Sequence, residues 1–155
     1  DLVHPQALRL MDAAIPAAQM VQLPVMPLPD PASPFIAGHY MDEFAEAHTR
    51  ELPVRQALGA TVPSAGVGCA IARDMLGRIA AASAGQPFDP ACLTEDYELG
   101  HKISRAGGIT RLLRVRHEGG LIATAEFFPA SFAGAVRQKA RWLTGIALAG
   151  WDRLG

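Results

Sequence analysis

The chain has 155 residues, 50% of them hydrophobic, and its 14 Lys and Arg nearly balance 15 Asp and Glu. This length and composition are typical of one globular domain with a core of its own. Near-neutral charge without long basic runs argues against a protein that binds nucleic acid by neutralising phosphates. No stretch reaches the roughly 20 apolar residues that a membrane-spanning helix needs, so we expect no nucleic-acid partner and a soluble piece. Because the chain begins with Asp1 rather than Met, we expect it to be part of a longer polypeptide.

Helical and extended patterns alternate in the first half of the chain. Apolar residues recur at helical spacing where we predict helices, and prolines and glycines mark the breaks between elements. The predicted elements are, in chain order, a helix from His4 that Pro16 ends, a strand over 20–26, a proline-rich loop over 27–34, a helix over 35–59 that Pro53 interrupts, a segment over 61–73 and a helix over 74–84. Pro24 inside the strand over 20–26 indicates an edge position or a bulge. The two glycines and the β-rich tail of 61–73 indicate a strand that is entered through a backbone-exposing turn.

The same alternation continues in the second half. The predicted elements are a helix over 94–106 closed by Gly107, strands over 110–115 and 121–127 around a turn at 117–120, and a last helix that runs from a Ser131 cap towards Trp151. Alternating strands and helices indicate an α/β domain. The strands are too few for a complete doubly wound sheet, so we predict half of such a domain.

Two adjacent carboxylates, Glu95 and Asp96, follow Thr94 in the first turn of a predicted helix. Acidic side chains are favoured there because the free N–H groups and the helix dipole attract negative charge. Capping alone therefore explains much of the pattern. The other interpretation is that Asp96 points into a cleft as a general base, with a pKa set by burial against that dipole. The residues alone leave both interpretations open.

Gln138, Arg141 and Trp142 share one face of the last predicted helix. Arg presents a planar fork to phosphate oxygens and Trp presents a flat face to a sugar ring, so this stripe suits a phosphorylated or saccharide ligand. The alternative is an Arg paired with a neighbouring carboxylate beside a core Trp.

Glu43, Glu46 and His48 raise the question of a metal site on the helix predicted over 35–59. Metal-binding helices of this kind usually carry two His four residues apart, and that spacing is absent here. We therefore expect a solvated polar helix face and predict no metal ligands in this chain.

Taken together, Thr94-Glu95-Asp96 and the later Gln-x-x-Arg-Trp at 138–142 resemble a known pair of motifs. The pair is found in the second half of the catalytic domain of membrane-bound family 2 glycosyltransferases, the cellulose and hyaluronan synthase type. Within that family, further segments are similar to the bacterial phage-adsorption protein B branch, and the similarity covers essentially the whole chain. These segments are 22–25, 40–48, 63–68, 123–129 and 145–151.

The resemblance implies the C-terminal half of a GT-A fold, an α/β fold with a partial mixed sheet flanked by helices, as a single domain over 1–155. It also implies inverting transfer of a sugar from a nucleotide-diphosphate donor to a hydroxyl acceptor. In this resemblance Asp96 matches the catalytic base that deprotonates the acceptor, and Thr94 and Glu95 complete its motif.

Two further sets of residues are carried over from the family. Those that match the motif near the donor diphosphate and the acceptor are Gln138, Arg141 and Trp142. Those that match a backbone-rich loop on the acceptor side are Ser64, Gly66 and Gly68, where glycine allows close approach of a ligand.

The family's nucleotide-binding strands and its Asp-x-Asp metal motif are expected to precede Asp1. The resemblance therefore implies a Mg or Mn ion in the longer parent, with ligands mostly outside this chain, and a fragment that is inactive alone. The implied partners are a nucleotide-sugar donor and a saccharide or lipid-linked acceptor. The implied location is the cytoplasmic face of the bacterial inner membrane, with which the parent chain would associate. An uncovered sheet edge would favour a homodimer of the isolated fragment.

A function of a different class also stays open. The chain would then be a non-catalytic module that keeps the glycosyltransferase fold as a binding surface of an envelope or receptor-associated protein, and fold alone cannot separate the two. The presence of both Asp96 and Arg141 favours catalysis, because a purely structural descendant has no physical need for both.

Overall fold

Helices and short strands alternate along residues 2–148, the part of the chain that the computed structural model describes. The helices are α1 (Ala7–Ala14), α2 (Pro34–Glu46), α3 (Leu52–Ala57), α4 (Arg73–Ala82), α5 (Glu95–Arg105) and α6 (Phe132–Trp142). The strands are β1 (Leu2–Val3), β2 (Met20–Gln22), β3 (Val25–Pro27), β4 (Cys69–Ile71), β5 (Thr110–Leu112), β6 (Arg116–His117), β7 (Gly120–Leu121) and β8 (Thr124–Glu126). Two π-helical segments, Ala47–Glu51 and Leu143–Leu148, continue α2 and α6.

Two three-stranded mixed sheets connect these elements. In the first sheet, β2 lies between β4, to which it is antiparallel, and β5, to which it is parallel. In the second sheet, β8 is antiparallel to β1 and parallel to β3. Strands β6 and β7 form a hairpin whose turn residues Glu118 and Gly119 both have positive φ, as a type I′ turn requires. The predicted α/β fold with a partial mixed sheet flanked by helices is confirmed.

The strand predicted over 20–26 is divided into β2 and β3 around Pro24, the residue that indicates an edge position or a bulge. The chain leaves the first sheet at the end of β2 and joins the second sheet at the start of β3. Pro24 has no N–H group to donate, so a continuous ladder is interrupted there. Leu23 N instead donates to Gly68 O at 2.7 Å, and Pro24 O accepts from Thr124 N at 3.0 Å. The break thus connects the two sheets.

The predicted turn that leads into a strand over 61–73 is present. Only β4 forms, and residues 61–68 run as an irregular segment. Gly66 and Gly68 have φ of +78° and +60°, a left-handed conformation that β-strands do not contain. These two glycines are the signal for the turn, and their backbone angles keep the ladder from extending towards residue 61. The irregular segment packs against α5 instead.

The helix predicted over 35–59 is present as α2, a π-helical segment and α3, with its interruption ahead of Pro53. A proline ring crowds the carbonyl group four residues earlier and leaves it without its helical donor. That carbonyl belongs to Thr49, within the π-helical segment, and accepts a hydrogen bond from Arg114 Nη1 at 3.5 Å. The π-helical turn is the adjustment of the helix to Pro53.

Helix α5 is held on the first sheet by its apolar face. Leu99 and Ile103 are buried in one cluster with Met20 of β2 and Met75 of α4. The helix ends as predicted, because Gly107 takes a φ of +77° just after it. These contacts fix the position of its first turn, which carries the acidic motif.

Gly100 allows α5 to approach the irregular segment closely. A Cβ atom at Gly100 would lie 3.0 Å from Pro63 Cα and 3.1 Å from Ser64 N, whereas a Cβ atom at Gly77 of α4 would meet nothing within 4 Å. Alanine normally stabilises a helix relative to glycine by about 0.5–1 kcal/mol. We expect Gly77→Ala to raise the free energy of unfolding and Gly100→Ala to lower it by about 1–3 kcal/mol in urea denaturation. Equal stabilisation by both variants would contradict the close approach.

The last helix begins as predicted. Ser131 Oγ accepts a hydrogen bond from Gly134 N at 3.2 Å and so caps α6. The predicted end near Trp151, like Asp1, lies outside the described residues. Among the helices of residues 2–148, none combines the length and the apolar character that crossing a membrane requires.

Candidate active site

A cavity of about 290 Å³ opens at the N-terminal end of α5, and we refer to it as the Asp96 cavity. Its walls come from that helix terminus, from residues 63–65, from the end of α6 and from both π-helical segments. Such π-helical turns are rare and occur frequently at functional sites. Most of the site residues predicted from the sequence line this cavity, namely Ser64, Thr94, Glu95, Asp96, Arg141 and Trp142.

The other three predicted site residues are placed differently. Gly66 contacts Asp96 so closely that a Cβ atom there would lie 2.5 Å from Oδ2. Gly68 packs against Thr124, where a Cβ atom would lie 2.8 Å from Oγ1. Gln138 has a buried Oε1 atom that has no hydrogen-bond partner in the described part of the chain. Their contacts with a ligand stay predictions.

Asp96 is a half-buried carboxylate at the second position of α5. Burial raises its pKa and the charge of Glu95 raises it further, while a hydrogen bond from Tyr97 N at 2.8 Å and the charge of Arg141 lower it. Burial disfavours the charged form and has the largest effect, so the pKa of Asp96 is raised overall. A carboxylate with a raised pKa holds a proton more tightly, which is the property that a general base needs.

Thr94 precedes α5, but its side chain does not cap the helix. It is buried and faces Gly145 of the second π-helical segment, where a Cβ atom would lie 2.6 Å from Thr94 Oγ1. This close contact joins the start of α5 to the continuation of α6. Through it, Asp96 and Arg141 come to line the same cavity.

Trp142 belongs to an aromatic cluster beside the cavity. Its ring neighbours, with centroids between 6.1 and 6.4 Å from the indole, are Tyr40, Phe44 and Phe128. Lys139 lies over the Trp142 ring at 5.0 Å. Arg141 is exposed and, within the described residues, has no carboxylate oxygen within 4.0 Å. Its guanidinium lines the cavity, where its charge acts on Asp96 and can also meet a bound anion.

Comparison with known proteins assigns the chain. The family described as glycosyl transferase family group 2 matches residues 1–154. The chain belongs to this glycosyltransferase family. It is 33% identical to Bacteriophage adsorption protein B of Escherichia coli strain K12 and to Bacteriophage N4 adsorption protein B of Escherichia coli O157:H7, over 168 residues in each case. Each comparison covers 97% of this chain but 23% of the relative, so the chain spans about a quarter of their length.

The family assignment agrees with the architecture. Small mixed sheets flanked by helices are what a partial GT-A fold of a family 2 glycosyltransferase contains. The resemblance stated from the motifs is thus confirmed at the level of the family.

Gln22 organises the irregular segment of this glycosyltransferase domain, a role that was not predicted although segment 22–25 is one of those similar to the family. Its side chain is fully buried in β2. Nε2 donates to the carbonyl groups of Leu23 and Val67, both at 2.8 Å, and Oε1 accepts from Ala65 N at 2.9 Å. A polar residue flanked by apolar ones in a strand is the signal that could have found it, because a buried amide needs partners.

We expect Gln22→Leu to lower the free energy of unfolding by about 1–3 kcal/mol, because buried groups of the irregular segment lose their partners. The measurement is urea denaturation, with Gln19→Leu as the matched control. Gln19 accepts a single exposed hydrogen bond, from Ile109 N at 2.8 Å, so its loss should cost about 1 kcal/mol or less. Equal losses in the two variants would show that Gln22 does not hold the segment.

His48 contradicts the solvated helix face predicted around it. The residue is only 5% exposed, its ring stacks on Phe44 at 5.6 Å between centroids, and burial lowers its pKa to about 4. The prediction assumed an uninterrupted helical period, which changes at the π-helical segment that contains His48. Glu43, on the same predicted face, forms an ion pair with Lys139.

The metal ion implied by the family resemblance is expected to have its ligands mostly outside this chain. Within residues 2–148, no three His, Cys, Asp or Glu side chains lie close enough together to hold one.

Proposed function

We propose that the natural protein containing this domain transfers a sugar from a nucleotide-diphosphate donor to a hydroxyl acceptor, with inversion at the anomeric carbon. One observation carries the proposal: Asp96, a carboxylate with a raised pKa, shares a cavity with Arg141 and Trp142. A base, a cation and a flat aromatic face are the groups that such a transfer uses.

In the proposed reaction, Asp96 takes the proton from the acceptor hydroxyl group. The acceptor oxygen forms a bond to the anomeric carbon of the donor from the face opposite the diphosphate, and the bond between that carbon and the diphosphate oxygen breaks. A single displacement of this kind inverts the configuration. Arg141 offsets the negative charge that grows on the leaving diphosphate, and Trp142 offers its ring as a surface for the sugar.

The partners and location of the reaction follow from the family resemblance. We expect a nucleotide sugar as the donor and a saccharide or lipid-linked sugar as the acceptor, at the cytoplasmic face of the bacterial inner membrane. A Mg or Mn ion is expected with ligands outside residues 2–148, and the isolated 155-residue chain is expected to be inactive. Activity is therefore to be measured on the natural chain in membranes.

A second candidate is a non-catalytic binding module of an envelope or receptor-associated protein. It is favoured by the names of the two relatives, which are phage adsorption proteins. The candidates differ in their dependence on Asp96, because a binding surface has no use for a carboxylate whose pKa is raised.

The anomeric configuration of the product tests the proposal. The natural chain in membranes is incubated with a panel of UDP-α-sugars and Mg²⁺ or Mn²⁺. The anomeric configuration of the glycoside that forms is then determined by NMR. We expect a β-glycoside. An α-glycoside would exclude inversion, and no glycoside from any donor would favour the binding module.

A further inference from the structure

His48 lies in the wall between the Asp96 cavity and a second cavity. The second cavity has a volume of about 210 Å³ and is lined mainly by apolar side chains of β3 and α2. His48 and Phe44 line both cavities, and their stacked rings are inclined by only 10°. The pair is thus the partition between the proposed reaction site and the space next to it.

The imidazole of His48 has an unmet capacity for hydrogen bonding. Its Nδ1 atom is buried and has no partner within the described residues. Leaving a buried polar atom unpaired costs free energy, and such atoms in native proteins call for an explanation such as a ligand or water. Because burial lowers its pKa to about 4, the ring is neutral at physiological pH. A neutral imidazole both donates and accepts, as a sugar hydroxyl group does.

Charges on the same wall indicate which substrate His48 meets. Glu43 and Glu51 come from the same stretch of chain and also line the Asp96 cavity. Glu43 forms an ion pair with Lys139, and Glu51 lies 3.9 Å from Arg55 Nη1, so neither carboxylate is a free charge. With both carboxylates paired, the described residues of this wall offer no unpaired cation to a diphosphate, for which Arg141 is the cation lining the cavity. This wall therefore suits an uncharged, hydroxylated ring.

We propose that His48 determines acceptor specificity by forming a hydrogen bond with a hydroxyl group of the acceptor sugar, which it orients towards Asp96. The inference rests on the proposed transfer to a hydroxyl acceptor. His48 already lines the cavity, and the torsion about its Cβ–Cγ bond has broad, roughly two-fold preferences, so the proposal includes a turn of the ring that presents a nitrogen to the acceptor. The imidazole then holds the acceptor while Asp96 takes the proton.

The test measures how acceptors stimulate UDP release by the natural chain in membranes. UDP-sugars serve as donors, and the acceptor probes are methyl β-glucoside, methyl β-mannoside and methyl β-N-acetylglucosaminide. His48→Phe keeps a ring that can stack on Phe44 but removes both nitrogens. We expect the acceptor KM to rise about tenfold, the effect of one lost hydrogen bond, with the donor KM unchanged. His48→Asn places an amide near the position of Nδ1 and should recover part of the acceptor affinity.

His39→Phe is the matched control, because His39 is exposed on α2. If the wild-type chain responds to an acceptor and His48→Phe has the same acceptor KM as His39→Phe, the assignment of His48 is wrong while the transferase function stands. If the wild-type chain releases no UDP with any donor and probe, the proposed transferase function and the assignment of His48 are both wrong. Thermal unfolding shows whether His48→Phe folds. If it does not fold, the acceptor KM of His48→Asn is the deciding measurement. A rise in this acceptor KM without a change in the donor KM supports the assignment, and no rise overturns it.

Discussion

Asp96→Asn is expected to lower kcat for sugar transfer by about 10²- to 10⁴-fold, which is the contribution of a positioned general base. The amide keeps the size of the side chain and can still accept the hydrogen bond from Tyr97 N. Donor binding should therefore be unchanged, and the loss should fall on kcat rather than on the donor KM. The measurement is the kinetics of UDP release by the natural chain in membranes.

Asp74→Asn is the matched control for this variant. Asp74 is the second residue of α4, as Asp96 is of α5, but it is exposed and does not line the Asp96 cavity. Both substitutions remove one charge from a helix N-terminus, at a cost of about 0.3–1 kcal/mol. A loss of stability or activity that both variants show is therefore due to the missing charge at a helix N-terminus and not to a catalytic role of Asp96. If kcat falls strongly in both variants, or in neither, Asp96 is not the base.

The raised pKa of Asp96 also makes two dependences on pH testable. Protonated Asp96 cannot act as a base, so the acid limb of kcat/KM should lie at higher pH than for an ordinary carboxylate. For stability, a folded pKa above the unfolded one means that the free energy of unfolding falls as pH rises through that interval. Asp96→Asn, which has no charge to bury, should therefore unfold at a higher temperature than Asp74→Asn at neutral pH.

Gly66→Ala is expected to reduce transfer by about 10²-fold, because misplacing a reacting group by about 1 Å can cost that much. A Cβ atom at this position would lie 2.5 Å from Asp96 Oδ2, so the carboxylate has to move. The φ of +78° at Gly66 adds strain for any L-residue with a side chain. The readouts are kcat for UDP release and the free energy of unfolding.

Gly59→Ala separates these two effects. Gly59 has a φ of +73°, close to that of Gly66, but a Cβ atom there would meet nothing within 4 Å. Both variants should lose about 1–2 kcal/mol of stability from backbone strain, and only Gly66→Ala should lose activity. Comparable activity in the two variants would mean that the contact with Asp96 does not position the carboxylate.

The elements best predicted from the sequence are those with local signals. Helix α5 has apolar residues at helical spacing, an acidic first turn and a glycine just after its end, and it forms nearly where these signals indicate. The Ser131 cap is another local signal, and it is confirmed. The paired motifs on α5 and α6 also led to the family, and the fold brings Asp96 and Arg141 to one cavity.

The features that the sequence could not indicate depend on distant parts of the chain. Pro24 indicates a disturbed strand, but not that the chain changes sheets there, and the glycines indicate a turn, but not that Gly66 contacts Asp96. The burial of His48 depends on a change of helical period and on surrounding side chains. Gln22 matters because it holds a segment that follows it by more than forty residues, as the separation of 43 between Gln22 and Ala65 shows.

The central claim is that the Asp96 cavity is the site of glycosyl transfer. Its most direct test is UDP release from a panel of UDP-sugars with Mg²⁺ or Mn²⁺, measured for the natural chain in membranes and for its Asp96→Asn variant. We expect the wild-type chain to release UDP from at least one donor and the variant to lose most of that release. No release from any donor, or equal release by both proteins, would contradict the claim.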